Sequence, residues 1–265
     1  MSGFYIGVDG KARKIKGGYV GIDGVARKIK KGYIGDENGV ARLCYTELIF
    51  DPVFANNTWE DVIVACQNNA VPDTWSVGDQ KTMTIDGTDY LIDVIGKDHD
   101  DYADGSGKAP LTFQLHELYA TKYALTTADN NIKGWVNCLM RSTTLPTILS
   151  LMQSEVQNNI REVNKFTSIG NKEPTIGITA DKLFLLSEIE IFNTTTCSFI
   201  GEGTQYAYYA NGGETRKYLK GSFENWWERS PAIDNQGYCL VYNGTSNKNV
   251  YPSRNNMGLS FAFCF

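Results

Sequence analysis

Few side chains in this chain have the type and spacing for chemistry. Only two histidines occur, His99 and His116. His116-Glu117 opens like the zinc motif HExxH, but position 120 is Ala, so the second ligand is missing. Neither a GxSxG elbow nor a P-loop occurs. A cysteine nucleophile needs a base beside it, and neither histidine has a suggestive context. The six cysteines (Cys44, Cys66, Cys138, Cys197, Cys239, Cys264) show no CxxC and no metal-ligand spacing. Each sits among apolar or aromatic neighbours, the setting of a buried free thiol. Cys239 and Cys264 both fall late in the chain, where one disulfide could form. Asp98, Asp100, Asp101 and Asp104 crowd a loop with Gly105 and Gly107. Calcium takes such oxygens, but no Glu stands at the twelfth position from Asp98, which favours a solvated acidic loop. No catalytic residue, metal ligand or cofactor is assigned.

Recognition is better represented than catalysis. Residues 233–256 are dense in Asn, Ser and Tyr. Tyr supplies rigid amphipathic area, while Asn and Ser supply adaptable hydrogen bonds. The candidate ligand contacts are Asp234, Asn235, Tyr238, Tyr242, Asn243, Ser246, Asn247, Asn249, Tyr251, Ser253, Asn255 and Asn256. Just before them runs Trp226-Trp227-Glu228-Arg229-Ser230-Pro231. Adjacent rings on a strand point to opposite faces, so one Trp is expected in the core and the other under a loop or exposed. Arg229 is expected in a buried ion pair, with Glu228 or another acid, that orders the loops. Trp226, Trp227 and Arg229 thus support the face.

The elements that must position these residues are legible in part. From Trp59 to Cys66 the spacing is helical, with Thr58 as N-cap. Lys81–Ile85 and Tyr90–Gly96 flank Asp86-Gly87 and read as a hairpin. Leu111–Leu115 reads as a strand. Helices are expected near 132–142 and over 146–163, the second with Pro146 in its first turn and apolar Ile148, Leu149, Met152, Val156, Ile160 and Val163. Asp181–Leu186 reads as a buried strand, and Ser187-Glu188-Ile189-Glu190 as a capping box opening a short helix. At the C-terminus Leu259, Phe261, Phe263 and Phe265 alternate with Ser260, Ala262 and Cys264, the pattern of a strand tied into a sheet.

The N-terminal 45 residues differ in kind. Three copies of one phrase begin at Tyr5, Tyr19 and Tyr33, 14 residues apart. Asp9-Gly10, Asp23-Gly24 and Asn38-Gly39 each separate two strand-like runs, the strongest short-range hairpin signal. A repeat this short buries no core alone and must stack on neighbours or on other chains. The domains are therefore a hairpin-repeat oligomerisation or attachment region (1–45), a linker (46–58) and a globular domain (59–265). Residues 1–45 hold nine Lys and Arg against four Asp and Glu, net +5, and the remainder carries −10. Those lysines alternate with apolar residues in strands and read as a solvated face rather than a nucleic-acid surface. No apolar run is long enough to span a membrane and no secretory leader is visible, so folding in a cytoplasm is expected.

The repeats resemble the hairpin repeats of phage tail and adhesin-like proteins of gut Firmicutes. Gly96–Asp101, Leu183–Glu188 with Glu190-Ile191-Phe192, Gly201–Tyr206 and Trp226–Pro231 resemble a domain often found behind such repeats. That domain is similar to C-type-lectin-like folds of the formylglycine-generating-enzyme type, which also carry the variable proteins of diversity-generating retroelements. The resemblance implies an α+β, C-type-lectin-like domain behind a small all-β region. It implies a phage tail-tip or tail-fibre receptor-binding protein, made in a host cytoplasm and acting outside on the virion. Residues 234–256 would be its hypervariable ligand surface. Implied partners are a bacterial cell-surface protein or glycan, other virion tail proteins and further copies of the chain, as a homotrimer. The alternatives are a structural virion protein and an enzyme of the formylglycine-generating type, which would need a thiol of low pKa.

Overall fold

The computed structural model describes every residue except 1–3, 9–10, 16–18, 23, 30, 36–40, 47, 235, 250 and 255. The chain divides into two compact units, Met1–Asp51 and Pro52–Phe265.

The first unit is three antiparallel hairpins. Strand β1 (Phe4–Val8) pairs β2 (Lys11–Ile15), β3 (Tyr19–Ile22) pairs β4 (Val25–Lys28), and β5 (Lys31–Gly35) pairs β6 (Ala41–Thr46). Val8 pairs Lys11 and Ile22 pairs Val25. Gly24 has φ +76°, the value a tight hairpin turn demands. The Asp9-Gly10 and Asn38-Gly39 turns and residue Asp23 lie outside the described residues.

The second unit is α+β. Helix α1 (Trp59–Gln67) starts at a full capping box: the Thr58 hydroxyl accepts from the Asp61 N–H, and the Asp61 carboxylate accepts from the Thr58 N–H. Strands β7 (Gln80–Ile85) and β8 (Thr88–Lys97) turn at Asp86 and Gly87, both at positive φ. With β9 (Leu111–Leu115) they begin a five-stranded antiparallel sheet.

The helix expected at 132–142 is not formed, and the one expected over 146–163 is broken into two short helices. Residues 132–137 are turns, and a π-helical turn at Met140–Thr144 leads into α2 (Leu145–Ser150). The β7–β8 hairpin ends α2, because the Asp86 N–H donates to the Leu151 carbonyl and Ile85 bridges Met152. A separate single turn, α3 (Ser154–Gln157), follows, and Val163 already belongs to β10 (Val163–Gly170). Of the six apolar residues in that spacing, Ile148, Met152, Val156, Ile160 and Val163 are buried and Leu149 only partly, and the buried five are spread over α2, α3, β10 and the segments between them.

Strand β10 forms a ribbon with β11 (Glu173–Asp181). Strand β12 (Leu183–Phe184) precedes α4 (Glu188–Phe192), which opens at the expected Ser187/Glu190 capping box. Helix α5 (Ala207–Ala210) is followed by the hairpin of β13 (Lys217–Leu219) and β14 (Ser222–Glu224). A three-stranded sheet then runs β15 (Trp226–Pro231), β16 (Tyr238–Tyr242), β17 (Thr245–Asn249). The last strand, β18 (Ala262–Cys264), inserts between β12 and β9 in the five-stranded sheet.

Strand β18 is covered on both sides, so alternation there separates two interiors. Phe263 and Phe265 join Phe113, Trp59 and Phe54 in an aromatic cluster with ring centroids 5.3–6.5 Å apart. On the opposite face Thr112, Gln114 and Cys264 meet Asp100 and Tyr209. The cluster also corrects the linker boundary. Phe54–Asn56 form a 3-10 turn, and Phe54 is 2% exposed with its ring 5.2 Å from that of Trp75. Residues from 54 onward therefore belong to the globular unit. Replacing Phe54 by Ala is expected to destabilise it by about 3–5 kcal/mol, read by urea unfolding; a loss below about 1 kcal/mol would return residues 54–58 to a linker.

Candidate functional site

Two features stand out in the second unit: a buried network of charge, and a polar recess at the tip of the β16–β17 hairpin.

Arg229, on β15, is fully buried and uses its whole guanidinium fork. It pairs both carboxylate oxygens of Glu190 and donates to the Leu185, Phe166 and Glu202 carbonyls and to the Thr167 hydroxyl. Glu190 lies there because its capping box fixes the start of α4. Lys165 joins Glu190 to Asp100, at 2.7 Å from each, and donates to Tyr206 at 3.0 Å. Burial alone would push Asp100 up, but the Lys165 charge and hydrogen bonds from Lys165 and Thr112 bring it down to about 2. Burial likewise works against Glu190, and Arg229 and Lys165 hold it below the usual carboxylate range. Two cations and two carboxylates thus balance inside one unit. Gly203 is required beside them: its φ is +101°, and a Cβ there would stand 2.8 Å from Glu190 Oε1.

Two further acids are buried nearby. Burial pushes Glu202 up to about 7, although the Ser230 hydroxyl and Ser168 N–H donate to it. Burial pushes Glu228 well above the ordinary range, and neither of its oxygens has a hydrogen-bond partner. Of the partners left open for Arg229, the other acid, Glu190, makes the pair and Glu228 does not. This interior has its charges matched and does structural work.

Three of the four acids of the loop are paired, and Asp98 is exposed. Asp100 is in the network, Asp101 lies 3.5 Å from Lys108, and Asp104 lies 2.6 Å from Arg161. Among the described residues, no group of three His, Cys, Asp or Glu is placed to hold a metal. His116 contacts Asp93 and Gln80, and His99 stacks on Tyr206 at 4.0 Å. Cys239 and Cys264 are free thiols in different sheets, on β16 and β18, and Cys264 meets Asp100 and Thr112. No disulfide joins them.

Within this segment β16 and β17 form a hairpin, and strand pairing divides the candidate contacts. Asn243 (φ 49°) and Gly244 (φ 82°) make its turn. Tyr242 is 51% exposed, and Asn243, Asn247, Tyr251 and Asn256 are exposed as well. Tyr238 is fully buried, paired to Pro231 of β15 on one side and Asn249 of β17 on the other, and its hydroxyl donates to the Gly134 carbonyl. Asn249 is buried and accepts from the Tyr251 N–H. Ser246 turns inward and donates to Glu188. Asp234 is taken by Lys248, and Ser253 donates to Asp129. Asn235 and Asn255 lie outside the described residues. Trp226 and Trp227 are both fully buried, their indole N–H groups donating to the Thr215 and Tyr123 carbonyls, so neither ring is exposed.

The exposed tip borders a recess of about 250 Å³ lined by Phe223, Glu224, Asn225, Tyr242 and Asn243. Asn225 Oδ1 accepts from the Asn243 N–H at 3.1 Å and ties the two hairpins together. Phe223, Glu224 and Asn225 are not among the residues the sequence singles out. Their signal was the Lys220-Gly221 turn, where both residues have positive φ and bring Phe223 back beside the tip. Two other recesses are less suited to a ligand. One, about 230 Å³, has Arg141 and Asp181 paired at 2.5 Å in its wall; the other, about 160 Å³, is lined largely by Trp135, Val136, Ile169 and Ile178.

A family model described as Domain of unknown function (DUF6273) matches residues 112–262, a span holding the hairpin and, of the charge network, Lys165, Glu190 and Arg229 but not Asp100. No curated protein matches the chain. No solved structure matches it.

Proposed function

The chain belongs to the DUF6273 family, and we propose that it is a non-catalytic receptor-binding protein of a phage tail tip or tail fibre. On this reading residues 52–265 are a C-type-lectin-like domain, and the hairpin repeats attach it to other tail proteins and assemble it as a homotrimer. The ligand is a protein or glycan of a bacterial surface, bound outside the host cell.

The observation that supports this reading is the grouping of Tyr242 and Asn243 with Phe223, Glu224 and Asn225 at one recess. An exposed aromatic beside amides and an acid offers a stacking surface and directional hydrogen bonds at low entropic cost. At about 250 Å³ the recess falls below the usual range for drug-sized ligands. It suits one sugar ring or one side chain of a larger surface, and several copies would gain strength by avidity.

Labelled full chain should bind cells of a susceptible strain, and Tyr242→Ala with Asn243→Ala should weaken that binding at least about tenfold. Unchanged thermal unfolding would separate lost contact from lost fold. Undiminished cell binding by a folded double variant would overturn the assignment and favour a structural virion component. If the locus is diversified, codon scatter should fall on Tyr242, Asn243, Asn247, Tyr251 and Asn256 and spare buried Tyr238 and Asn249.

A second reading, the formylglycine-generating type of enzyme, draws on Cys197. The hydrogen bond from Cys239, above all, lowers its thiol to about 7. Against it, Cys197 is only 9% exposed and lines none of the three recesses described.

A further inference from the structure

The lining of the recess at the hairpin tip narrows the class of ligand it can take. Two of its five lining residues are exposed rings, Phe223 at 47% and Tyr242 at 51%. Tyr218 is paired directly opposite Phe223 in the β13–β14 register and is 42% exposed, so both side chains leave the same face of that hairpin. The aromatic strip therefore continues past the recess. The polar lining is Glu224, Asn225 and Asn243. Only Glu224 is charged, and Lys122 stands 2.7 Å from it. Arg216 packs against Gly244, where a Cβ would stand 2.9 Å from its Cγ, but it is not among the lining residues. Asn225 Oδ1 is committed to the Asn243 N–H. Among the described residues, neither Asn225 Nδ2 nor the side-chain amide of Asn243 has a hydrogen-bond partner.

We propose that the recess takes a neutral sugar ring, a hexose or N-acetylhexosamine unit of a glycan chain, stacked on the exposed aromatics with its hydroxyls on Glu224, Asn225 and Asn243. The proposal rests on the receptor-binding reading and names the class of ligand at the same site. A pyranose presents C–H groups on its faces and hydroxyls at its edge. The faces suit an exposed aromatic ring. Each hydroxyl both donates and accepts, so neighbouring hydroxyls can give to the Glu224 carboxylate and take from the two free amides. Tyr218 offers a stacking surface to the next unit of the chain.

Two other classes fit less well. A charged sugar needs an uncompensated charge to pair with, and the one charge in the lining is already matched by Lys122. An extended peptide binds chiefly through main-chain hydrogen bonds, and the main chain here is engaged. The Asn225 carbonyl accepts from the Gly258 N–H at 2.8 Å, the Asn243 N–H donates to Asn225 at 3.1 Å, and the Tyr242 carbonyl accepts from the Thr245 hydroxyl at 2.9 Å. The groups left to a ligand are side-chain amides, one carboxylate and ring faces. A single open site of this kind binds one sugar weakly, and several copies on a repeating glycan would add avidity.

The test uses the full chain and free sugars. Glucose, galactose, mannose, rhamnose and N-acetylglucosamine are the neutral probes; glucosamine as its ammonium form and N-acetylneuraminic acid are the charged ones. Saturation-transfer difference NMR reads contact with each. At least one neutral sugar should receive saturation on its ring C–H protons, and both charged sugars should receive less. Phe223→Ala with Tyr242→Ala should cut that transfer at least about tenfold while thermal unfolding is unchanged. The wild-type preference for neutral over charged sugars decides the matter even if that variant folds poorly. Transfer to none of the neutral sugars, stronger transfer to either charged sugar, or transfer that survives in the folded double variant would overturn the proposal. The receptor-binding reading is judged separately, by cell binding of Tyr242→Ala with Asn243→Ala. Cell binding lost in that variant, with no sugar receiving saturation, would keep the reading and make the ligand a protein.

Discussion

Arg229→Met is expected to destabilise the globular unit by about 3–5 kcal/mol, the cost of removing one partner of a buried ion pair. A domain of this size is held by roughly 5–15 kcal/mol in total, so the variant should unfold at far lower urea. The size of the effect follows from what is left behind. Glu190 would keep Lys165 but lose both bonds from the fork, and the Leu185, Phe166 and Glu202 carbonyls would lose a buried donor. Arg229→Lys keeps the charge but cannot span these acceptors, so it should recover only part of the loss. Adding Glu190→Gln to Arg229→Met should cost less than the two single changes together, because the stranded carboxylate is gone. A single-variant loss below about 1 kcal/mol would mean that the network does not hold the unit together.

The same network shows what could be read from the residues and what could not. Local signals were sound: Thr58 and Ser187 cap helices, Asp86-Gly87 turns a hairpin, and Arg229 is buried in an ion pair. Its partners were not legible. Asp100, Lys165 and Glu190 come from three distant segments, and nothing in an acidic loop distinguishes the one carboxylate that turns inward from those that remain outside. The helix expected over 146–163 failed for a related reason. Its period recorded which residues are buried, while the β7–β8 turn captured the Leu151 carbonyl and set where the helix stops. In the candidate site, composition marked the right segment, but strand pairing decided which side chains face out. Tyr238 and Tyr242 are alike in sequence context, yet one lies mid-sheet and the other at a turn.

The pH dependence of stability should carry the second large effect, from Glu202. Burial, opposed only in part by its hydrogen bonds, raises this carboxyl from 4.5 to about 7. The folded state therefore holds a proton that the unfolded chain releases. Between those two values the folded state binds more protons than the unfolded one, so stability falls as pH rises and levels off above about 7. The full shift corresponds to roughly 3 kcal/mol. Burial lowers His99 from 6.5, which acts oppositely: its unfolded form takes up a proton the folded ring resists, so its contribution improves with rising pH. Subtracting the wild-type curve from that of Glu202→Gln cancels His99 and isolates the carboxyl. The amide keeps an acceptor for the Ser168 N–H, and its NH2 stands where a Glu202 oxygen accepts from the Ser230 hydroxyl, a rotor that can turn to accept instead. Relative to wild type, the variant should gain about 3 kcal/mol on going from pH 4.5 to pH 7. Parallel curves would show that Glu202 is ionised in the fold at neutral pH. Diverging curves would mean that the interior around Arg229 stays balanced by keeping one acid protonated, which leaves Arg229 and Lys165 for Glu190 and Asp100 alone.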